Sequence, residues 1–147
     1  MKRELIVNLN RRPRIKGLDL VVGFDKVVKN EKGGRFPVKQ LLEKMSLHFS
    51  DKQINGGLVG TLLLKTVPEK IMLLNSAFLD WLMKHQNFIP ESWKGNYTFF
   101  AGTVFMKDGV EVIRGIYHGD YGWATTYRWL DRGFYVDSPI AVMAIEE

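Results

Sequence analysis

The strongest constraint on the fold is the dipeptide Asp108-Gly109, which lies between two β-favouring runs, Phe105-Met106-Lys107 and Val110-Glu111-Val112. Both central residues of a type I′ turn need positive φ, and Asp-Gly adopts that conformation readily. The dipeptide therefore predicts a two-residue β-hairpin that sets the register of its two strands.

Two more turn clusters follow, Gly119-Asp120-Tyr121-Gly122 and Asp131-Arg132-Gly133. Read as tight connections, they predict a four-stranded antiparallel meander. Its strands would span roughly residues 97–106, 110–118, 122–130 and 134–144. Pro139 lies inside the last stretch, and because proline donates no ladder hydrogen bond it indicates an edge strand or a bulge there.

The middle of the chain has helical spacing. Phe78, Trp81, Leu82 and His85 recur every three or four residues and predict a main helix over 76–86. Thr66-Val67-Pro68-Glu69 has the capping-box pattern and predicts a helix start upstream, although Asn75-Ser76 could separate the two pieces. Ser50-Asp51-Lys52-Gln53 has the same pattern and predicts a helix start before a glycine-rich stretch.

The first 50 residues favour strands. Leu5 to Leu9 and the bent stretch 17–28 are rich in branched apolar residues and predict strands, and the glycine-containing segment 30–35 predicts a turn. Residues 37–49 fit a helix that starts near Pro37, and the end of this segment also fits a strand with Met45, Leu47 and Phe49 on one face. The spacing leaves these two readings open.

These patterns predict an α+β fold in one domain of 147 residues: a basic β-rich segment (1–50), a helical middle (51–90) and an aromatic-rich antiparallel sheet (91–147) packed on one or two central helices. The chain has no cysteine, so disulfides and thiolate zinc sites are excluded. No apolar run approaches the ~18 residues that a membrane span needs, and we expect a cytoplasmic protein without a cofactor.

The chain also resembles a family of small, uncharacterised bacterial proteins. The resemblance is carried by Pro90-Glu91-Ser92-Trp93, Phe99-Phe100-Ala101-Gly102-Thr103, Trp129-Leu130-Asp131 and Pro139-Ile140-Ala141-Val142-Met143-Ala144, within about residues 75–145. A weaker likeness at Phe24 to Asn30 and Phe36-Pro37-Val38 implies a strand over 43–49. The resemblance implies a shared fold and no site residue, because the family has no assigned activity.

Positive charge is concentrated at the start of the chain. Residues 1–50 hold 12 Lys or Arg against five Asp or Glu, whereas the remainder is slightly acidic. Four of these cations lie within six residues: Arg11, Arg12, Arg14 and Lys16. Guanidinium groups on an extended loop can donate paired hydrogen bonds to phosphate, although a solvated basic loop has the same pattern.

Aromatic residues are concentrated in the C-terminal half, where 12 of the 18 lie between Trp93 and Tyr135. Strand alternation would place Trp123, Tyr127 and Trp129 on one face of the third meander strand. That face is either core against the 76–86 helix or a surface that stacks nucleic-acid bases. In the second case three further arginines would contact phosphates: Arg114, Arg128 and Arg132.

No catalytic or metal-binding motif occurs in the sequence. The three histidines, His48, His85 and His118, lie on different predicted elements, and His118-Gly119-Asp120 supplies only two possible ligands. An enzyme would need a dispersed site, with a carboxylate such as Glu111, Asp120 or Asp131 as general base. The sequence therefore favours a small non-enzymatic binding protein whose partner is a protein or a phosphate-bearing ligand. An RNA- or single-stranded-DNA-binding module is the second hypothesis, and an enzyme with a dispersed carboxylate/His site is the third.

Overall fold

The computed structural model describes residues 5–15, 23–54 and 56–145. In these residues the chain forms a seven-stranded mixed sheet, two two-stranded sheets and four α-helices. The strands are β1 Ile6–Asn8, β2 Lys26–Asn30, β3 Arg35–Pro37, β4 Met45–His48, β5 Leu58–Val59, β6 Ile71–Leu73, β7 Thr98–Lys107, β8 Val110–Gly119, β9 Gly122–Trp129, β10 Gly133–Phe134 and β11 Ile140–Ala144. The helices are α1 Val38–Lys44, α2 Asp51–Ile54, α3 Gly60–Lys65 and α4 Ser76–Lys84, with 3-10 turns at Gln86–Phe88 and Glu91–Trp93. None of the helices in these ranges has the length and hydropathy needed to cross a membrane.

The predicted four-stranded meander is wrong as a description of the sheet. Only β7, β8 and β9 form a meander, within a main strand order β4-β11-β7-β8-β9 in which β2 also pairs with β7 and β6 with β11. After β9 the chain forms β10, which pairs with β5, and then crosses to the other side of β7, where β11 runs parallel to it through Ile140 and Phe99.

The position of β11 has a simple physical reason. Four of its residues, Ile140 to Met143, are buried, and a strand buried on both faces belongs inside a sheet. Pro139 precedes the strand and therefore costs no ladder hydrogen bond; its carbonyl accepts from the Phe99 N–H at 3.0 Å. The expectation of an edge strand at Pro139 was for this reason also wrong.

Helices cover both faces of the sheet. On one face, Phe78 and Leu82 of α4 are fully buried in a cluster with Phe100 and Ile116 of the sheet. On the other face, Leu63 of α3 packs in a second cluster that includes Phe99, Ile113 and Phe134.

The Asp108-Gly109 hairpin is confirmed. Asp108 has φ 54° and Gly109 has φ 79°, and Lys107 pairs with Val110. Asp108 is the one residue other than glycine with positive φ in the described ranges, as a type I′ turn requires.

The two readings of residues 37–49 each apply to one half. α1 occupies Val38–Lys44, and β4 follows at once over Met45–His48, antiparallel to β11. The strand inferred for 43–49 is therefore present in its central part. The first half of the predicted strand 17–28, residues 17–22, lies outside the described residues, and β2 begins at Lys26.

The start of α4 and the two predicted capping boxes have different outcomes. The Asn75 side chain caps α4 by accepting from the Phe78 N–H, so the main helix begins at Ser76 as predicted. Thr66 instead lies at the end of α3, where its hydroxyl donates to the Leu63 carbonyl at 2.6 Å, and the residues expected to continue a helix form β6. Ser50 and Gln53 make the expected contact between the Ser50 N–H and the Gln53 side chain, but α2 ends after one turn at Ile54.

Candidate functional site

The basic loop follows β1 and is tied to the fold through two asparagines. The Asn8 side chain accepts from the Asn10 N–H at 3.0 Å, and the Asn10 side chain accepts from the Gly34 N–H at 2.9 Å. Arg11, Arg12 and Arg14 on this loop are all exposed. Lys16 lies outside the described residues.

The loop faces α4 across a cleft of about 230 Å³, which we call the α4 cleft. Its floor is one stripe of the helix, with residues at spacings of three and four, and its walls are β1 and the basic loop. The helix contributes Ala77, Asp80, Trp81 and Lys84, and the walls contribute Ile6, Asn8, Arg11, Arg12, Pro13 and Arg14.

Asp80 is the acidic residue of the α4 cleft, and it forms an ion pair with an arginine of the sheet beneath α4. Arg114 of β8 donates through Nη1 to Asp80 Oδ1 at 3.0 Å and to Ser76 Oγ at 2.6 Å. The Arg114 side chain is only 6% exposed, against 21% for Asp80. Arg114 was predicted to contact phosphate, but its guanidinium lies beneath the helix and neutralises Asp80.

The charge that remains in the α4 cleft is positive. Arg11, Arg12 and Lys84 make no hydrogen bond or ion pair with any residue in the described ranges. Arg14 lies at the same rim and already has a partner. Three unpaired cations above a neutralised acid create a positive potential that attracts anions.

Trp81 provides the aromatic surface of the α4 cleft. Its ring stacks on His85 at 4.2 Å between centroids and lies near Phe88 at 5.4 Å. His85 Nδ1 is 2.8 Å from the Trp81 carbonyl, which holds the two rings together. The indole is therefore held in one position at the edge of the core and is partly exposed.

The two other predicted arginines do not reach the α4 cleft. Arg128 lies over the rings of Phe99 and Phe134, at 4.7 and 4.9 Å, on the opposite face of the sheet, and donates to Ser138 Oγ at 2.7 Å. Burial lowers the pKa of Arg128, and the nearby Asp137 carboxylate opposes that effect. Arg132 is exposed and lies 3.8 Å from the carboxylate of its neighbour Asp131.

The aromatic strand β9 is part core and part surface. Trp123 packs against the α4 cluster, and Trp129 packs with Phe105 and Phe24 while its indole donates to the Lys107 carbonyl. Tyr127 is 41% exposed, with Phe24 against its ring at 5.4 Å. The row of three rings is thus not an open stacking platform, because Trp123 and Trp129 are largely covered.

The residues considered for chemistry are dispersed. His48 contacts the Thr66 hydroxyl at 2.8 Å, His85 stacks on Trp81, and His118 lies edge-on to Trp123. Burial lowers the pKa of His48. Within the described residues, no group of three or more His, Cys, Asp or Glu is close enough to hold a metal ion. Glu111, Asp120 and Asp131 are exposed on β8 and on turns.

Sequence reasoning missed Asp80, Trp81 and Lys84 as site residues. Asp80 and Lys84 are polar positions four residues apart, so their common helical stripe was visible in the sequence. That the basic loop packs against this stripe depends on the pairing of β1 with β3, which no local pattern shows. A comparison with known protein families, curated proteins and solved structures found no match.

Proposed function

We propose that this protein is a non-enzymatic binding protein that takes a phosphate-bearing ligand in the α4 cleft. The observation that carries the proposal is the convergence of the basic loop and Lys84 on one cleft whose single acid is already neutralised by Arg114. Positive charge that is not used within the fold is available to an anion.

The chemistry of the cations suits phosphate. Arg11 and Arg12 each present a planar fork of N–H donors, which matches the spacing of phosphate oxygens. Lys84 adds a point charge from the last turn of α4. The cleft is smaller than the roughly 300–1,000 Å³ of a drug-sized ligand site, so it suits a small group or one part of a larger ligand.

The start of the loop is also anchored to the fold before any ligand arrives. Besides the Asn8 and Asn10 bonds, the Leu9 N–H donates to the Gly34 carbonyl at 2.7 Å, and Leu9 is fully buried. Anchoring at this end reduces the conformational entropy that the loop can lose on binding, and this favours affinity.

Titration calorimetry at low salt with ribose 5-phosphate and with inorganic pyrophosphate tests the proposal. The double variant Arg11→Gln/Arg12→Gln should weaken binding at least about tenfold, since each lost charged hydrogen bond contributes about 1.5–3 kcal/mol. The control Lys52→Gln/Lys65→Gln removes two exposed charges on α2 and α3 and should leave affinity unchanged. Equal losses in the two double variants, or no binding by the wild type, would refute the proposal.

A further inference from the structure

The α4 cleft contains a feature that a plain anion site does not need. Asp80 is a partly exposed carboxylate among cations, and because Arg114 balances its charge it contributes nothing to the binding of a simple phosphate. Because the carboxylate is held in place by Arg114, which is itself anchored on Ser76, Asp80 cannot turn away from the cleft without breaking that contact.

Asp80 offers the cleft a hydrogen-bond acceptor. Its Oδ1 atom is used by Arg114, and its other oxygen makes no hydrogen bond with a described residue. An ionised carboxylate only accepts. A ligand that fits this position must therefore bring an N–H or O–H donor as well as its anionic group.

The remaining lining is apolar. Ile6 is 51% exposed, and it lies with Ala77 and the partly exposed Trp81 around the same cleft. Exposed isoleucine beside a fixed indole ring provides a contact surface for a flat, largely apolar group. The α4 cleft thus combines cations, one acceptor and an apolar wall within about 230 Å³.

We infer that the ligand is a nucleotide whose base carries an amino group. The base would lie against Trp81 and Ile6 and donate its amino N–H to Asp80, and the phosphate would lie against the exposed Arg11 and Arg12, so that a cleft of about 230 Å³ encloses only part of the nucleotide. Adenine and cytosine both present such amino donors, and aspartate and glutamate accept from the cytosine amino group in DNA complexes. The inference rests on the proposed function and adds the part of the ligand that is not phosphate.

Parallel titrations with adenosine monophosphate, cytidine monophosphate and ribose 5-phosphate distinguish the inferred base site from the proposed phosphate site. Ribose 5-phosphate has the phosphate but no base. We expect both nucleotides to bind at least about tenfold more tightly than ribose 5-phosphate. Equal affinity would overturn the inference and leave the phosphate site standing. Failure of all three to bind would overturn both.

Asp80→Asn gives the second signature: Arg114, which only donates, keeps the amide oxygen as its acceptor, so the NH2 group takes the place of the free acceptor oxygen and the negative charge is removed. Binding of adenosine monophosphate should weaken about tenfold, whereas ribose 5-phosphate should bind as before or more tightly. Asp131→Asn, at an exposed carboxylate outside the cleft, is the matched control and should change neither affinity. Equal weakening of both ligands by Asp80→Asn would overturn the inference.

A measurement on the wild type covers the case in which Asp80→Asn does not fold. The indole N–H signal of Trp81, assigned by its loss in Trp81→Phe, should shift with adenosine monophosphate and not with ribose 5-phosphate. No shift with the nucleotide would contradict the placement of the base. An RNA tetranucleotide added as a further arm identifies the source: tighter binding than the mononucleotide indicates a nucleotide within a strand, and weaker or equal binding indicates a free nucleotide.

Discussion

Replacing Asp80 by alanine should destabilise the protein more than replacing its partner Arg114 by methionine. The two side chains share a 3.0 Å contact, but Arg114 is 6% exposed and Asp80 is 21% exposed. Asp80→Ala leaves a guanidinium under α4 with Ser76 as its remaining partner, whereas Arg114→Met leaves a carboxylate that water can still reach. Asp80→Ala should therefore be the more destabilising change, because the guanidinium that it leaves unpaired is more desolvated than the carboxylate that Arg114→Met leaves unpaired.

The different exposures of the two side chains determine the size of each loss. Removing one partner of a fully buried ion pair costs about 3–5 kcal/mol. Because water already reaches the Asp80 side of this pair, we expect a smaller cost of about 2–3 kcal/mol for Asp80→Ala. Arg114→Met keeps most of the packing volume and should cost about 1 kcal/mol. For a chain of this size, these losses correspond to about 6–9 °C and about 3 °C in Tm. The double variant should be more stable than Asp80→Ala alone, because it removes the unpaired charge.

Urea unfolding followed by far-UV circular dichroism gives the free energies of unfolding for the wild type, the two single variants and the double variant. Asp131→Ala is the control, since its 3.8 Å contact with Arg132 is exposed and should contribute less than about 1 kcal/mol. If Arg114→Met costs as much as Asp80→Ala, or if the two losses simply add, the reasoning about an unpaired buried cation is refuted.

Four further predictions address the fold and the alternatives. Leu82→Asp places a carboxylate at a fully buried position of α4. It should prevent folding or lower Tm by more than about 10 °C, which corresponds to a loss of roughly 3 kcal/mol in the free energy of unfolding. A shift of less than about 2 °C in a thermal melt would show that this face of the helix is not part of the core. Gly109→Val should destabilise the hairpin by about 1–2 kcal/mol in urea unfolding because valine resists the φ of 79°, and a neutral result would contradict the type I′ turn. Stability should fall as pH drops below 6.5, because the pKa of His48 is lowered in the folded chain and the unfolded chain therefore takes up a proton more readily. In thermal melts from about pH 7 to about pH 5, His48→Gln should reduce this fall in Tm. An unchanged dependence of Tm on pH would exclude His48 as its source. If the protein instead binds single-stranded RNA, replacing the four clustered cations Arg11, Arg12, Arg14 and Lys16 should change the slope of log affinity against log salt concentration by roughly 3. Absence of RNA binding at low salt would exclude that alternative.

The features that local sequence predicted well are those whose energetics are local. The Asp108-Gly109 turn needs only the φ preferences of two adjacent residues, so no distant contact can easily override it. α4 is similar: its apolar repeat, which includes Phe78 and Leu82, is local, and the helix begins at Ser76 as predicted, with Asn75 as its cap.

The errors have a common origin in non-local pairing. The Thr66 motif has the spacing of a helix start, but Ile71–Leu73 gains more by pairing with the buried strand β11, and Thr66 serves as the end of α3. The segment after β9 was expected to continue the meander, yet its burial on both faces takes β11 between β4 and β7. A helix or turn pattern records what the nearest residues favour and contains no information on which distant strand is available.

The candidate site also has features that the sequence shows and features that only the tertiary structure shows. The cations of the basic loop and the polar stripe of α4 can be read from the sequence, because charge and helical spacing are properties of the residues themselves. Only the tertiary structure decides that Arg11 and Arg12 face α4, that Arg114 neutralises Asp80 from beneath the helix, and that Arg128 is covered on the other face of the sheet. The reason is that burial and pairing determine whether a charge is used within the fold or remains available to a ligand, and both depend on contacts between residues far apart in the chain.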